Sequence, residues 1–298
     1  MVYELAERAS QMTMQMAARA PLVIVMIAWA TALAPPDAVA RVRTDHDQLL
    51  GPPTPLRGLR VGESVRAWRT VARTGARRDF DVTRLAAAPH LFHLRDMLDA
   101  SECDEIVDAA RATPRRSAET VGGTSGRTHC DVAWLSPARE PAVAALARDG
   151  ARLLLGDGAR RAGGGCEDLQ VLRYAPAGEF TLHHDAGANL ARALSVLVYL
   201  NDGGETWFPL ARGDAAGDAG GAPANRVAAL EAAARVEAAG EGGVRASPAK
   251  GDAVAFYNLD ARGRPDWRAL HAGVRAEREK WVGALWFHVA AGEGASGR

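Results

Sequence analysis

Two hydrophobic rhythms divide the chain. Over residues 101–112 the apolar positions Cys103, Ile106, Val107 and Ala110 recur at helical spacing and mark the buried face of a helix. Ser101 reads as its N-cap, with Glu102, Asp104 and Glu105 in the first turn, where the helix dipole favours negative charge. Residues 140–155 form a second Ala/Leu-rich helix, closed by Gly156. From residue 169 onward the pattern changes to short apolar runs separated by Gly, Pro, Asn and Asp. Strands are predicted at 169–174, 194–200, 205–208, 252–257, 271–274 and 281–289, and earlier at 127–135. The run LSVLVYL at 194–200 is almost continuously apolar, as in a strand buried on both faces. Asn201-Asp202-Gly203-Gly204 reads as a tight turn from which residues 205–208 return as a hairpin partner. The pattern predicts a mainly β protein with flanking helices (α+β), a sandwich or jelly roll backed by N-terminal helices.

The rest of the chain reads differently. An apolar run at 20–34, APLVIVMIAWATALA, follows Arg8 and Arg19 and precedes the small-x-small triplet Ala38-Val39-Ala40. It is shorter than the ~20 residues that span a bilayer comfortably. Residues 1–40 therefore read as a signal peptide or signal anchor, although Glu4 and Glu7 weaken its basic head. That reading places the protein in the secretory pathway, in the endoplasmic reticulum lumen or facing it, with membrane contact through residues 20–34. Residues 41–79, rich in Arg, Pro and Gly, read as a linker with one short helix around 65–71. The globular part is expected over 80–298. Within it, 211–243 has the composition of a loop insertion, with a helix at 225–239 capped by Asn225 and no catalytic residue types in place.

Composition narrows the function. With 298 residues the chain is long enough for a substantial core. Its 36 basic and 36 acidic residues cancel, which argues against a nucleic-acid or acidic-membrane binder. Nearly all basic residues are arginine; Lys250 and Lys280 are the two lysines. Cys103, Cys130 and Cys166 are widely spaced and form no CxxC pair, so they read as buried thiols before they read as a disulfide or a zinc site.

Candidate chemistry centres on His183 and Asp185, a His-x-Asp triplet at the end of a strand-like stretch, and on the distant His271. Residues i and i+2 of a strand face the same side, so both members of the triplet can reach one metal while His184 points away. Two imidazoles and one carboxylate are the ligand set of a non-haem Fe(II) centre that keeps positions open for substrate and oxygen. The triplet alone is a weak signal, since such triplets arise by chance.

Four ordered blocks carry a stronger one: LQVLRYAPAGEFTLHHD, RALSVLVYLNDGGETWFP, PAKGDAVAFYN and LHAGVRAEREKWVGALWFHV. Together they resemble the catalytic core of the prolyl 4-hydroxylases, which are 2-oxoglutarate- and Fe(II)-dependent dioxygenases, over roughly residues 91–289. The resemblance implies a double-stranded β-helix with Fe(2+) at its mouth, held by His183, Asp185 and His271. It also implies that Lys280 pairs with the distal carboxylate of the co-substrate 2-oxoglutarate and that Tyr174 bonds the same carboxylate. O2 is the other co-substrate, and ascorbate an accessory. The implied reaction is hydroxylation coupled to decarboxylation of 2-oxoglutarate. An intact Asp185 favours this over halogenation, for which related enzymes carry a small residue there. Arg192 and Trp281 read as structural or peripheral.

Two departures stand out. His271 and Lys280 lie one residue closer than is usual, with Val274-Arg275-Ala276 in place of Cys-Pro-Val, so Arg275 and Arg278 are alternative bases. The loop after Leu200 is also short. The expected partner is a proline-rich or collagen-like polypeptide, with a lysyl residue or a small molecule as the alternative acceptor. A non-catalytic jelly-roll module is the alternative of another class, and a zinc hydrolase lacks an evident general base.

Overall fold

The computed structural model describes residues 52–117, 126–156, 165–186, 192–213, 221–260 and 262–288. By internal contacts the chain divides into units 1–38 and 39–298, and every described residue belongs to the second. The expected signal segment and the first part of the expected linker lie outside the described residues. No described helix is long and apolar enough to cross a membrane.

The strands are β1 (Ser64–Thr70), β2 (Arg77–Ala86), β3 (Leu91–Arg95), β4 (Arg116–Ser117), β5 (Arg127–Leu135) and β6 (Leu169–His183). They continue with β7 (Arg192–Tyr199), β8 (Thr206–Phe208), β9 (Val244–Ala246), β10 (Ala253–Tyr257), β11 (His271–Gly273) and β12 (Lys280–His288). The longer helices are α1 (Ala100–Ala112), α2 (Pro141–Gly150) and α3 (Arg226–Ala239), and a single helical turn lies at Thr54–Arg57.

Strand order runs β1-β2-β3-β10-β7-β12-β6 and on through β6 to β11-β8-β9, with all pairs antiparallel. The long strand β6 belongs to both halves. Its first part pairs with β12 and β5, and its end pairs with β11. The corner is made at Ala177, with φ of 68°, and at Gly178, where a Cβ would sit 2.8 Å from the Ala175 carbonyl oxygen. Such a bulge bends a strand enough for it to leave one sheet and enter the next. The result is the expected double-stranded β-helix, β6-β12-β7-β10 against β6-β11-β8-β9, extended on one side by β3, β2 and β1.

Two cores explain the apolar runs. Val196 and Val198 on β7 join Phe92, Leu285 and Phe287 and pack towards Ile106, Val107, Val143 and Leu146 of the helices. Leu197 and Tyr199, on the other face, join Phe208, Val254, Phe256, Val282 and Trp286 between the sheets. With both faces covered, alternation disappears from the sequence of β7.

The structure departs from the sequence reading at several places. The N-cap of α1 is Asp99, not Ser101: its side chain accepts from Glu102 N while Glu102 accepts from Asp99 N, a full capping box. In place of a linker helix around 65–71 there is β1, paired along its whole length with β2. Its inward positions include Ala67 and Arg69, and an inward arginine hid the strand alternation. The turn after Leu200 does not close a hairpin. The partners of β7 are β10 and β12, whereas β8 pairs with β11 and β9, so the turn carries the chain between sheets. The helix starting at Pro141 changes to a π turn over Ala151–Leu155 and stops at Gly156, whose φ is 63°. Within 211–243, α3 forms as expected with Asn225 as its cap, and Ala229 and Ala233 pack on Leu210 and Leu270. Residues 214–220 lie outside the described residues. All three cysteines are free thiols.

Candidate iron and co-substrate site

The corner in β6 sets up the site. It swings the end of the strand into the second sheet, where His183 pairs directly with His271 of β11. Asp185 lies two residues past His183, just beyond the strand end, and its carboxylate turns back between the imidazoles. His183 Nε2 is 3.7 Å from Asp185 Oδ1, and His271 Nε2 is 3.9 Å from Asp185 Oδ2. One donor atom from each of the three residues lies within 4.8 Å of the others. His184, as expected, faces away: its Nε2 lies 3.0 Å from the Asp266 carbonyl oxygen, and its ring packs near Trp267.

The donor set fits a metal. His183 Nδ1 lies 2.9 Å from the Thr181 carbonyl oxygen and His271 Nδ1 lies 3.0 Å from that of Ala269, so each Nδ1 carries the proton. That leaves both Nε2 lone pairs bare and facing Asp185, the tautomer a metal-binding histidine requires. Burial pushes the pKa of both histidines down, His183 also by its neighbour His271, which keeps them neutral. Burial opposes ionisation of Asp185, but the hydrogen bond from the Ser195 hydroxyl favours the carboxylate, and the carboxyl is held well below its usual range. Ser195 Oγ donates to Asp185 Oδ2 at 2.6 Å, and Asn258 Nδ2 donates to Ser195 Oγ at 2.8 Å.

Lys280 opens β12 directly opposite Tyr174 of β6 and lines the same pocket as the three ligand candidates. It is only 4% exposed, and its Nζ donates to the Glu205 carbonyl oxygen at 3.1 Å. Burial pushes its pKa down to about 8. Among the described residues no carboxylate lies within ion-pair distance of it. Arg275 and Arg278, the alternative bases, are exposed. The shortened loop before Lys280 is pinned by Ala276, which is buried: its N–H donates to the Gly178 carbonyl at 2.8 Å and its carbonyl accepts from Ala177 N at 2.7 Å. Tyr174 lines the pocket with its ring centroid 5.4 Å from Lys280 Nζ, and burial keeps the phenol protonated, a neutral donor.

Several residues at the site were not legible in advance. Ser195 and Asn258 sit in apolar strand contexts and carry no motif; only their contacts show that they orient Asp185. Phe180 stacks on the His183 ring at 3.5 Å, with the Arg127 guanidinium 4.0 Å from its own centroid. Arg192, expected to be structural or peripheral, lies 3.7 Å from the ring centroid of Trp286, a pocket wall, and is held there by a two-pronged pair with Glu167 at 2.6 and 2.7 Å. Trp281 is core, as expected, with its indole N–H on Glu279.

Two histidines and one carboxylate in a double-stranded β-helix, with a buried lysine lining the same pocket, define the class of the site. Residues 169–288 match the profile of the 2OG-Fe(II) oxygenase superfamily. Prolyl 4-hydroxylase 1 of Arabidopsis thaliana is 30% identical over 259 residues, covering 78% of this chain and 82% of that protein. Probable prolyl 4-hydroxylase 4 of the same plant is 28% identical over 224 residues, 70% of each chain. Among solved structures, the viral collagen prolyl hydroxylase of Paramecium bursaria Chlorella virus-1 in its 2-oxoglutarate complex is similar, with a TM-score of 0.46 and 21% identity over 66% of this chain and 94% of that one. The chain belongs to the prolyl 4-hydroxylase family of 2-oxoglutarate- and Fe(II)-dependent dioxygenases. Iron and 2-oxoglutarate are accordingly its cofactor and co-substrate.

Proposed function

We propose that this enzyme hydroxylates prolyl residues of a proline-rich or collagen-like polypeptide in the secretory pathway, with ascorbate as accessory reductant. The observation that carries the chemistry is the convergence of His183, Asp185 and His271 on one point with Lys280 in the same pocket. The named relatives support the prolyl acceptor, and the apolar run at 20–34 supports the compartment.

The overall conversion balances as substrate C–H plus O2 plus 2-oxoglutarate to C–OH plus succinate plus CO2. When bound, the iron supplies the oxygen activation that couples the two oxidations. The chain's own residues bind, orient and exclude. His183 and His271 offer Nε2 because their Nδ1 protons are tied to backbone carbonyls, and Asp185 offers an oxygen whose direction Ser195 fixes. Lys280 meets the distal carboxylate of 2-oxoglutarate as an ammonium. Burial lowers the pKa of that ammonium to about 8, and an incoming anion would stabilise the charge that burial weakens. Tyr174, kept protonated, donates to the same carboxylate. Leu172, Leu197 and Val282 line the pocket with apolar surface that keeps water away.

The test is to incubate the iron-loaded protein with 2-oxoglutarate and matched peptides, reading succinate release and 4-hydroxyproline. Stimulation by prolyl but not lysyl peptides supports the reading. Succinate release that no prolyl peptide stimulates overturns the acceptor while leaving the reaction class standing. Retention of the full chain in microsomes, protected from added protease, checks the compartment.

A further inference from the structure

Trp134 is one of few large apolar side chains exposed among the described residues, at 43%. Its place in the sheet makes that exposure informative. Trp134 on β5 pairs with Gln170 on β6, and Gln170 pairs with Ala284 on β12, so the three side chains form one row on one face. Gln170 and Ala284 both line the iron pocket, as does Trp286, two residues along β12 and therefore on the same face. The register thus puts Trp134 on the active face of the sheet, one strand further out than the pocket wall. Its ring lies 6.2 Å from that of Trp286, tilted by 44°. Trp286 is itself buried, with Arg192 against its ring. This indole continues the pocket wall outward and stays open to solvent.

Resting on the prolyl-acceptor reading above, we propose that Trp134 is a specificity residue, a stacking platform for a proline flanking the target in an extended substrate chain. Proline-rich chains adopt the polyproline II helix, which rises ~3.1 Å per residue, and aromatic-lined grooves recognise it through ring stacking. The 6.2 Å between the two indoles matches a step of about two residues at that rise. A target residue beside Trp286 would then place the residue about two positions away over Trp134. The platform thus prefers chains with proline at both positions over isolated prolines.

The experiment compares two peptides with the iron-loaded enzyme: one with proline at the target and two positions either side, and one with alanine at the flanking positions. For the wild type, the flanked peptide is expected to have a KM roughly tenfold lower, the effect of about 1.4 kcal/mol of stacking. Trp134→Ala erases most of that difference through KM, and Trp134→Phe restores much of it. Quenching of tryptophan fluorescence by poly-proline, lost in Trp134→Phe, is a second readout that needs no turnover. Equal KM values for both peptides in the wild type overturn the inference. So does a tenfold preference that survives in Trp134→Ala. If the wild type turns over neither peptide, the prolyl reading falls, and the inference with it.

Discussion

Arg69 on β1 and Lys280 on β12 are both buried cations, and the molecule treats them in opposite ways. Arg69 is fully buried and is met by carboxylates: Nη1 donates to Glu102 Oε2 at 2.6 Å and to the Met97 carbonyl at 3.2 Å, and Nε lies 3.8 Å from Asp149. That cluster joins β1 to α1 and α2, and Glu102 also completes the cap of α1. Lys280, almost as deeply buried, has a neutral carbonyl and a ring beside it, and its pKa is pushed down. A charge buried beside opposite charge is structural. A charge buried beside neutral groups, in a pocket that also holds a bare ligand set, fits the role proposed above for Lys280, partner to the carboxylate of the co-substrate. Exposure alone does not separate the two; the identity of the neighbours does.

The contrast can be broken experimentally, and the largest effect is expected at the ligands. Asp185→Ala removes the carboxylate between two imidazoles and should cost on the order of a thousandfold in coupled turnover. Iron titration against the wild type checks that the loss lies in metal binding. Glu102→Ala comes next. It leaves Arg69 short of its closest counter-charge and should destabilise the fold by about 3–5 kcal/mol, read by urea denaturation. Pairing it with Arg69→Met should recover most of that loss. Failure to recover would mean that the cap and packing of α1, not the charge, account for the effect.

Lys280→Met should behave in the opposite sense. Folding stability should hold or rise, because no ion pair is lost, while affinity for 2-oxoglutarate falls by about 2–5 kcal/mol. The wild type should also show a pH limb. Below about 8 the amine of the unliganded protein is charged and the pair with the co-substrate carboxylate forms directly. Above that pH binding must first take up a proton, so the Kd for 2-oxoglutarate should rise roughly tenfold per pH unit. Titration into Mn(II)-loaded protein measures it, and Lys280→Arg should flatten the limb. The smallest effect is expected from Ser195→Ala, which frees Asp185 Oδ2 and should cost about 10- to 100-fold in metal affinity. An unchanged affinity there would show that the carboxylate holds its direction without the Ser195 hydroxyl.

Legibility followed the scale of the signal. The strands of the β-helix were readable because apolar runs and turn residues are local, and the helix at Arg226–Ala239 was readable from Asn225 and its alanines. β1 was not, because Arg69 occupies an inward position that a binary pattern scores as polar. The supposed hairpin after Leu200 failed for a related reason. A tight turn is a local event, but whether it joins neighbours or crosses between sheets depends on the partners of both strands. At the site, His183, Asp185, His271, Lys280 and Tyr174 stood out by residue type and by their place in ordered blocks. Ser195, Asn258, Phe180 and Trp134 did not, since serine, asparagine and aromatics are common in any strand.

The sequence by itself determined the reaction class. A ligand set is a matter of chemical identity, and although the His-x-Asp triplet alone is a weak signal, the four ordered blocks around it resemble one family and so imply what can bind. Tertiary structure alone decided how those groups are presented. The corner at Ala177 and Gly178 brings His183 opposite His271, hydrogen bonds to Thr181 and Ala269 choose the imidazole tautomers, and register places Trp134 on the active face. The reason is physical: donor chemistry belongs to each side chain, whereas convergence, tautomer and exposure arise only between segments that the chain keeps far apart.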